Sequence, residues 1–293
     1  MSAVVGAEAI SGAIIRHVLL AGRVPEGLEA IDLGSRRLER RVRAAWGSAD
    51  ELRKALRRAE ISEGLTLQLL TLSEPIVGTE YSLDVSALEA LRSWASGGGS
   101  AMDQPPLLIQ LQGVLICVGS DRIGLAGASE RIAAVEGATL EYFWLHAEVS
   151  GLEQRIDDRW CELDEDTAVA FELSVATLDR REQLRQRFQQ MIAAKALLAR
   201  LAPLIECPVI YPPTLSSQAA ERLREKSRLG ERLQHLREQL EVFERVYELC
   251  GQRMSDFISS RRSHLLEWII VVLLSFELLL MVIDWLGTLT ETQ

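Results

Sequence analysis

Apolar and polar positions follow different patterns in the front and rear of this 293-residue chain. Short runs of β-branched or alternating apolar residues in the front part predict four strands. These runs lie at residues 13–20, 65–72, 107–118 and 140–149. Ser48, followed by Glu51, is typical of a capping box and predicts a helix that reaches Arg58. We therefore expect an α+β fold class, with a mixed α/β domain over residues 1–160.

The next part of the chain, residues 161–214, has a helical pattern. Asp164 is expected to be the N-cap of a long helix that continues to Leu201, and the prolines that follow are expected to end it. An acidic run at the start should cap and solvate this helix, with a divalent cation as the alternative. The run consists of Asp157, Asp158, Glu162, Asp164, Glu165 and Asp166.

The longest regular pattern begins after the prolines. Nine apolar residues at alternating spacings of four and three predict the a/d seam of a coiled coil, held for about four heptads. They are Leu229, Leu233, Leu236, Leu240, Phe243, Tyr247, Cys250, Met254 and Phe257. We expect a coiled-coil stalk over residues 215–264 that joins copies of the chain. It belongs to one continuous helix from about Ser216 to Leu286.

The most apolar stretch lies at residues 265–286, within RRSHLLEWIIVVLLSFELLLMVIDWL. As a helix it would measure roughly 33 Å, which matches the hydrocarbon core of a bilayer. Trp268 and Trp285 lie near its two ends, where aromatic belts occur. This pattern predicts one C-terminal transmembrane helix, with a buried core helix of a soluble bundle as the alternative.

The charges around this stretch predict its orientation. Arg261 and Arg262 precede it, whereas the short tail at residues 287–293 contains no basic residue. The positive-inside rule then places the large N-terminal part in the cytoplasm. We expect a single-pass protein of the cytoplasmic (inner) membrane.

Three carboxylates within the apolar stretch need an explanation. Glu267 and Asp284 are close enough to its ends to reach headgroup level, whereas Glu277 lies near the middle, where a charge costs about 2.5–3.5 kcal/mol. Glu277 and Asp284 are seven residues apart, so they share one face of the helix. This polar face predicts that helices associate within the membrane.

The segment VYELCGQRMSDFISSRRSHLLEWIIVVLLSFELLL, residues 246–280, resembles the closing signature of the required-for-meiotic-nuclear-division family. That signature is a heptad helix, a basic/His cluster, Leu-Glu-Trp, an aliphatic run and a second glutamate. The residues of this membrane signature are Arg261, Arg262, His264, Glu267, Trp268, Glu277 and Asp284. The resemblance implies a membrane-anchored homo-oligomer without assigned enzymatic activity, similar to members that support organellar translation.

The overall charge is −10, which argues against a protein that coats nucleic acid along its whole surface. The basic segment at residues 35–58 has the opposite sign. It is interpreted either as the solvated face of two helices or as a patch that binds RNA, ribosomes or anionic lipid. Its basic residues are Arg36, Arg37, Arg40, Arg41, Arg43, Arg53, Lys54, Arg57 and Arg58. The four cysteines are scattered and are expected to be reduced packing residues.

No spacing in the sequence predicts a catalytic, cofactor or metal site, and we infer no small-molecule substrate. His146 is expected to be a core histidine. The sequence as a whole favours a membrane-anchored oligomeric scaffold or tether. The alternatives are an RNA- or ribosome-binding membrane module and an enzyme of unknown type in the α+β domain.

Overall fold

The structure is a computed structural model with side chains. It describes residues 13–21, 28–31, 43–47, 65–73, 85–97, 105–171, 180–206 and 214–291. The fold is mixed α/β and divides into two compact units. The sheet unit comprises residues 1–154 and 197–236, and the helical unit comprises residues 155–196 and 237–293.

Within the described residues, the strands of the sheet unit form one seven-stranded sheet in the order β2-β3-β1-β4-β7-β6-β5. Neighbours pair antiparallel except β4 and β7, which are parallel. The strands are β1 (Ala13–Ala21), β2 (Glu29–Ile31), β3 (Arg43–Gly47), β4 (Leu65–Ser73), β5 (Leu107–Leu111), β6 (Val114–Val118) and β7 (Arg122–Gly127).

The helices follow the sheet in the chain, apart from the first, which lies between β4 and β5. They are α1 (Val85–Ala95), α2 (Ser129–Asp157), α3 (Trp160–Phe171), α4 (Arg181–Glu206), α5 (Leu215–Lys226) and α6 (Leu229–Glu291). The boundary between the two units falls within α2, α4 and α6.

Helix α1 covers part of the sheet. Leu91 and Trp94 of α1 are buried in one cluster with Leu70, Leu115 and Cys117 of the strands. Gly124 allows this close approach, because a Cβ atom there would lie 2.4 Å from the side chain of Leu91. Burial raises the pKa of the Cys117 thiol to about 11, so this cysteine is a packing residue.

Strands β5 and β6 form a hairpin, whereas the sequence predicted one strand over residues 107–118. Its two-residue turn has positive φ at both Gln112 (44°) and Gly113 (76°), as a type I′ turn requires. Strand β5 is at the edge of the sheet. There Lys226 of α5 donates a hydrogen bond of 2.5 Å to the main-chain oxygen of Leu108. This bond gives a partner to one backbone acceptor of the edge strand.

Two other predicted elements are wrong. Residues 140–149 lie inside helix α2, so His146 is helical as well, and Asp164 lies inside helix α3 instead of capping a helix. Seven of the buried residues of α2 recur at spacings of three and four, the period of a helix. They are Val135, Ala138, Tyr142, Leu145, Val149, Leu152 and Ile156.

The predicted continuous helix from Ser216 is also interrupted. Helix α5 ends at Lys226, and Arg228 has a φ of +52°, a left-handed conformation that ends one helix before the next begins at Leu229. The Ser227 hydroxyl satisfies the carbonyl of Leu223 at 2.8 Å. From Leu229, however, one helix of 63 residues continues without a break into the predicted membrane segment.

Candidate functional site: the apolar segment of α6 and the groove beside it

The apolar stretch of α6 is exposed along the whole length that the structure describes. Its large side chains from Leu265 to Met281 are 46–70% exposed, and none of the most apolar window is buried in the chain. A core helix of a soluble bundle would bury these side chains, so the soluble-core alternative does not fit this fold. The prediction of an apolar helix long enough to cross a membrane is confirmed.

The polar residues of the predicted membrane signature lie along this helix. Nδ1 of His264 is 3.2 Å from a carboxylate oxygen of Glu267, one helical turn away. Within the described residues, the carboxylate of Glu277 has neither a hydrogen bond nor an ion pair, and its side chain is exposed. The side chains of Asp284 and Trp285 lie outside the part that the structure describes. The arrangement leaves Glu277 available to a partner outside the chain.

Eight of the nine seam residues are buried within one chain, and Phe257 is half-buried. In the helical unit, the ring of Phe243 meets Trp160 edge-on with centroids 4.9 Å apart, and Tyr247 faces Phe188 at 6.4 Å. In the sheet unit, Arg232 donates to Ser150 at 2.8 Å beside the seam. These contacts match packing of the seam within one chain, so the seam by itself does not support association of copies.

A buried carboxylate organises the helical unit. Asp166 of α3 is only 2% exposed, and Nη1 of Arg187 donates to it at 2.7 Å. The Tyr247 hydroxyl donates to its other oxygen at 3.2 Å. Arg187 also lies 3.4 Å from a carboxylate oxygen of Glu162. We call these four side chains the Asp166 cluster.

The Asp166 cluster accounts for two pKa shifts. The hydrogen bond that Arg187 donates to Asp166 raises the pKa of Arg187. The pKa of Tyr247 is raised mainly by burial and next by the negative charge of Asp166. The sequence predicts instead that Asp166 solvates a helix start together with its acidic neighbours. Sequence reasoning missed its burial, and the signal was Tyr247 itself, because a phenol in an apolar seam needs a hydrogen-bond partner.

An open groove with a volume of about 860 Å³ lies between α4 and α6 in the helical unit. Its apolar lining includes Leu184, Met254 and Ile258, and its basic lining consists of Arg181, Arg185 and Arg262. Of these three arginines, only Arg262 belongs to the membrane signature predicted from the sequence. The two arginines of α4 are four residues apart, and therefore lie on one face of the helix.

The sheet unit contains a second group of titratable side chains. Burial lowers the pKa of His146 and raises the pKa of Tyr142, whose ring centroid is 5.8 Å from that of His146. Burial also raises the pKa of Glu141. Each shift disfavours the charged form, but His146 is only half-buried, so the core histidine stays a prediction.

Other predicted site residues are not brought together by the described structure. Of the basic segment, Arg43 is exposed on β3, and the remaining eight residues lie outside the described part, as does the capping box at Ser48. Within the described residues, no group of three or more His, Cys, Asp or Glu side chains could hold a metal ion. The RNA, ribosome and enzyme alternatives stay predictions.

No protein-family model matches this chain. No curated protein matches it either. A solved structure described as "structure of the full-length CmaX protein" is similar over 87% of this chain and 80% of that one, with 14% sequence identity and a TM-score of 0.36. A likeness at this TM-score carries no argument about function. The resemblance to the meiotic-nuclear-division family stays a prediction.

Proposed function

We propose that this chain is a membrane-anchored scaffold or tether, held in a bilayer by the apolar segment of α6. The observation that supports it most is the exposure of that segment along its whole described length, in a helix whose seam residues are buried. Exposing about 17 consecutive mostly apolar residues to water would be costly at roughly 25 cal/mol per Å². A bilayer removes this cost, and Trp268, which is 70% exposed, would lie at its interface.

A tether needs a folded region outside the membrane that is connected to the membrane anchor. Helix α6 supplies that link, because the same uninterrupted helix contains buried seam residues and exposed apolar residues. Arg261 and Arg262 place the large N-terminal part on the cytoplasmic side in this proposal. The face with Glu277 and Asp284 would join copies of the helix in the bilayer.

The anchor is tested with the full chain carrying Leu273→Arg and Leu274→Arg. Each arginine near the middle of the bilayer costs about 2.5–3.5 kcal/mol, so the double variant should leave the carbonate-resistant membrane pellet and appear in the supernatant. Val242→Arg with Leu249→Arg is the matched control, because both residues are exposed apolar positions on α6 outside the segment. The control should stay in the pellet. Equal pelleting of the two double variants would contradict the anchor.

A further inference from the structure

The groove between α4 and α6 has a charge opposite to that of the whole chain. Its charged lining consists of three arginines, Arg181, Arg185 and Arg262, and one glutamate, Glu248. The chain as a whole has a net charge of −10. Ser255 and Ser259 add hydroxyl donors to the same lining. The groove is thus a local site of positive potential with hydrogen-bond donors, which suits an anion.

The register of the two helices places these arginines toward the apolar segment. Lys195 of α4 contacts Glu244 of α6, and Phe188, seven residues earlier on α4, faces Tyr247, three residues later on α6. The two helices therefore run antiparallel, and the first turn of α4, with Arg181, lies toward the end of the groove that Arg262 lines. Arg262 is three residues before Leu265, which corresponds to roughly 4.5 Å of helix.

We propose that this groove binds the phosphate headgroup of an anionic phospholipid from the cytoplasmic leaflet, an inference that rests on the proposed membrane anchor. Guanidinium groups bind phosphate oxygens through paired N–H donors, and Arg181 and Arg262 would supply them. The apolar lining at Leu184, Met254 and Ile258 would contact the glycerol and the first methylene groups of the lipid. A phosphate free in solution would leave that apolar lining uncovered.

The continuity of the groove with the apolar segment favours a lipid over a soluble ligand. A lipid in the leaflet beside α6 already has its headgroup confined to the membrane surface, at the level of Arg262. Binding to the groove therefore costs the lipid little further translational freedom. The Arg185–Glu182 ion pair, at 3.8 Å, is exposed on both sides and so is weak enough to open. Within the described residues, Arg181 and Arg262 have no ion pair to break.

The test uses native mass spectrometry of the full chain in detergent, with phosphatidylglycerol and phosphatidylcholine in equal amounts. The wild type should retain phosphatidylglycerol preferentially. Because one basic side chain contributes about a fivefold factor at an anionic surface, Arg181→Gln with Arg262→Gln should lower that preference roughly 10- to 30-fold. Arg253→Gln with Arg261→Gln is the matched control, since both are exposed arginines on α6 that do not line the groove.

The control pair separates a built site from diffuse attraction to the membrane surface. Arg261 is only one residue further from the apolar segment than Arg262, so an equal loss in both double variants would overturn the groove as the site. Displacement of the lipid by an equal concentration of glycerol 3-phosphate would overturn the lipid as occupant. Flotation with phosphatidylcholine vesicles tests the anchor separately. A wild type that floats but retains both lipids equally would overturn this inference and leave the proposed anchor intact.

Discussion

At the scale of single residues, Asp166 shows what an acidic run in a sequence can conceal. Six acidic residues between 157 and 166 looked like one solvated group, and their neighbours Asp164 and Glu165 are indeed exposed. Asp166 differs because its helical position turns it toward Arg187 and Tyr247. Its partners come from two other helices, 21 and 81 residues further along the chain, so no pattern within the acidic run could identify them.

We expect Asp166→Ala to lower the free energy of unfolding by about 3 kcal/mol. Among the described residues, removing the Asp166 carboxylate leaves the Arg187 guanidinium with only the more exposed Glu162 as an ion-pair partner, and leaves the Tyr247 hydroxyl without its acceptor. The side chain of Asp166 is 3% exposed and that of Arg187 is 24% exposed, so water can relieve only part of this cost. Urea unfolding in detergent, followed by circular dichroism, measures the change.

Glu182→Ala is the matched control for Asp166→Ala. Glu182 pairs with Arg185 in the same unit, but both side chains are about two-thirds exposed, at 66% and 68%. Such pairs contribute roughly 0–1 kcal/mol. A loss of stability from Asp166→Ala no larger than from Glu182→Ala would mean that the Asp166 cluster does not stabilise the helical unit.

At the scale of elements, the hydrophobic period and the length of a segment determine whether its predicted secondary structure agrees with the fold. Strands β1 and β4 are each nine residues long with a strand pattern, and the sequence places both within a residue or two. The strand predicted at residues 140–149 rests on ten residues alone, whereas the helical spacing is evident only over the longer stretch from Val135 to Ile156. The break at Arg228 could not be predicted, because no proline or glycine marks its left-handed conformation.

The seam of α6 gives the test at this scale. Leu240 is 2% exposed within one chain, so Leu240→Ala should cost about 2–5 kcal/mol of stability and leave the mass by light scattering unchanged. Val242→Ala is the control, since Val242 is 47% exposed and its replacement should cost less than about 0.5 kcal/mol. A folded Leu240→Ala variant with a lower mass would instead show that the seam joins copies of the chain, as the heptad pattern predicted.

At the scale of the whole molecule, the sequence predicts the mixed α/β part and the long apolar helix but misses the groove. Composition alone distinguishes residues 265–281 from everything else in the chain, because bilayer dimensions fix the length of an apolar helix. The groove depends on the register between α4 and α6, which are far apart in sequence. Heptad spacing predicts that a seam is buried but does not say whether another copy or the same chain covers it. Here the covering residues come from other helices of the same chain.

Assembly of copies, the remaining part of the proposed function, depends on Glu277, whose side chain is exposed and unpaired within the described residues. If it joins helices through a hydrogen bond in the bilayer, Glu277→Leu should weaken the oligomer and Glu277→Gln should preserve it, because the amide keeps a donor and an acceptor. Disulfide cross-linking through Met281→Cys, one turn further on the same face, measures the oligomer in native membranes.

The cross-linking needs a background in which other cysteines do not react. Cys161 is exposed and is replaced by serine together with Cys207, whereas Cys117 and Cys250 are buried and stay. Leu279→Cys is the control for position, because two residues turn a helix by about 200° and place this thiol opposite Glu277. We expect the yield at Met281→Cys to exceed that at Leu279→Cys and to fall in the Glu277→Leu variant. Equal yields with glutamate, glutamine and leucine at position 277 would mean that Glu277 does not hold the copies together, because a hydrogen bond between helices cannot survive its replacement by leucine.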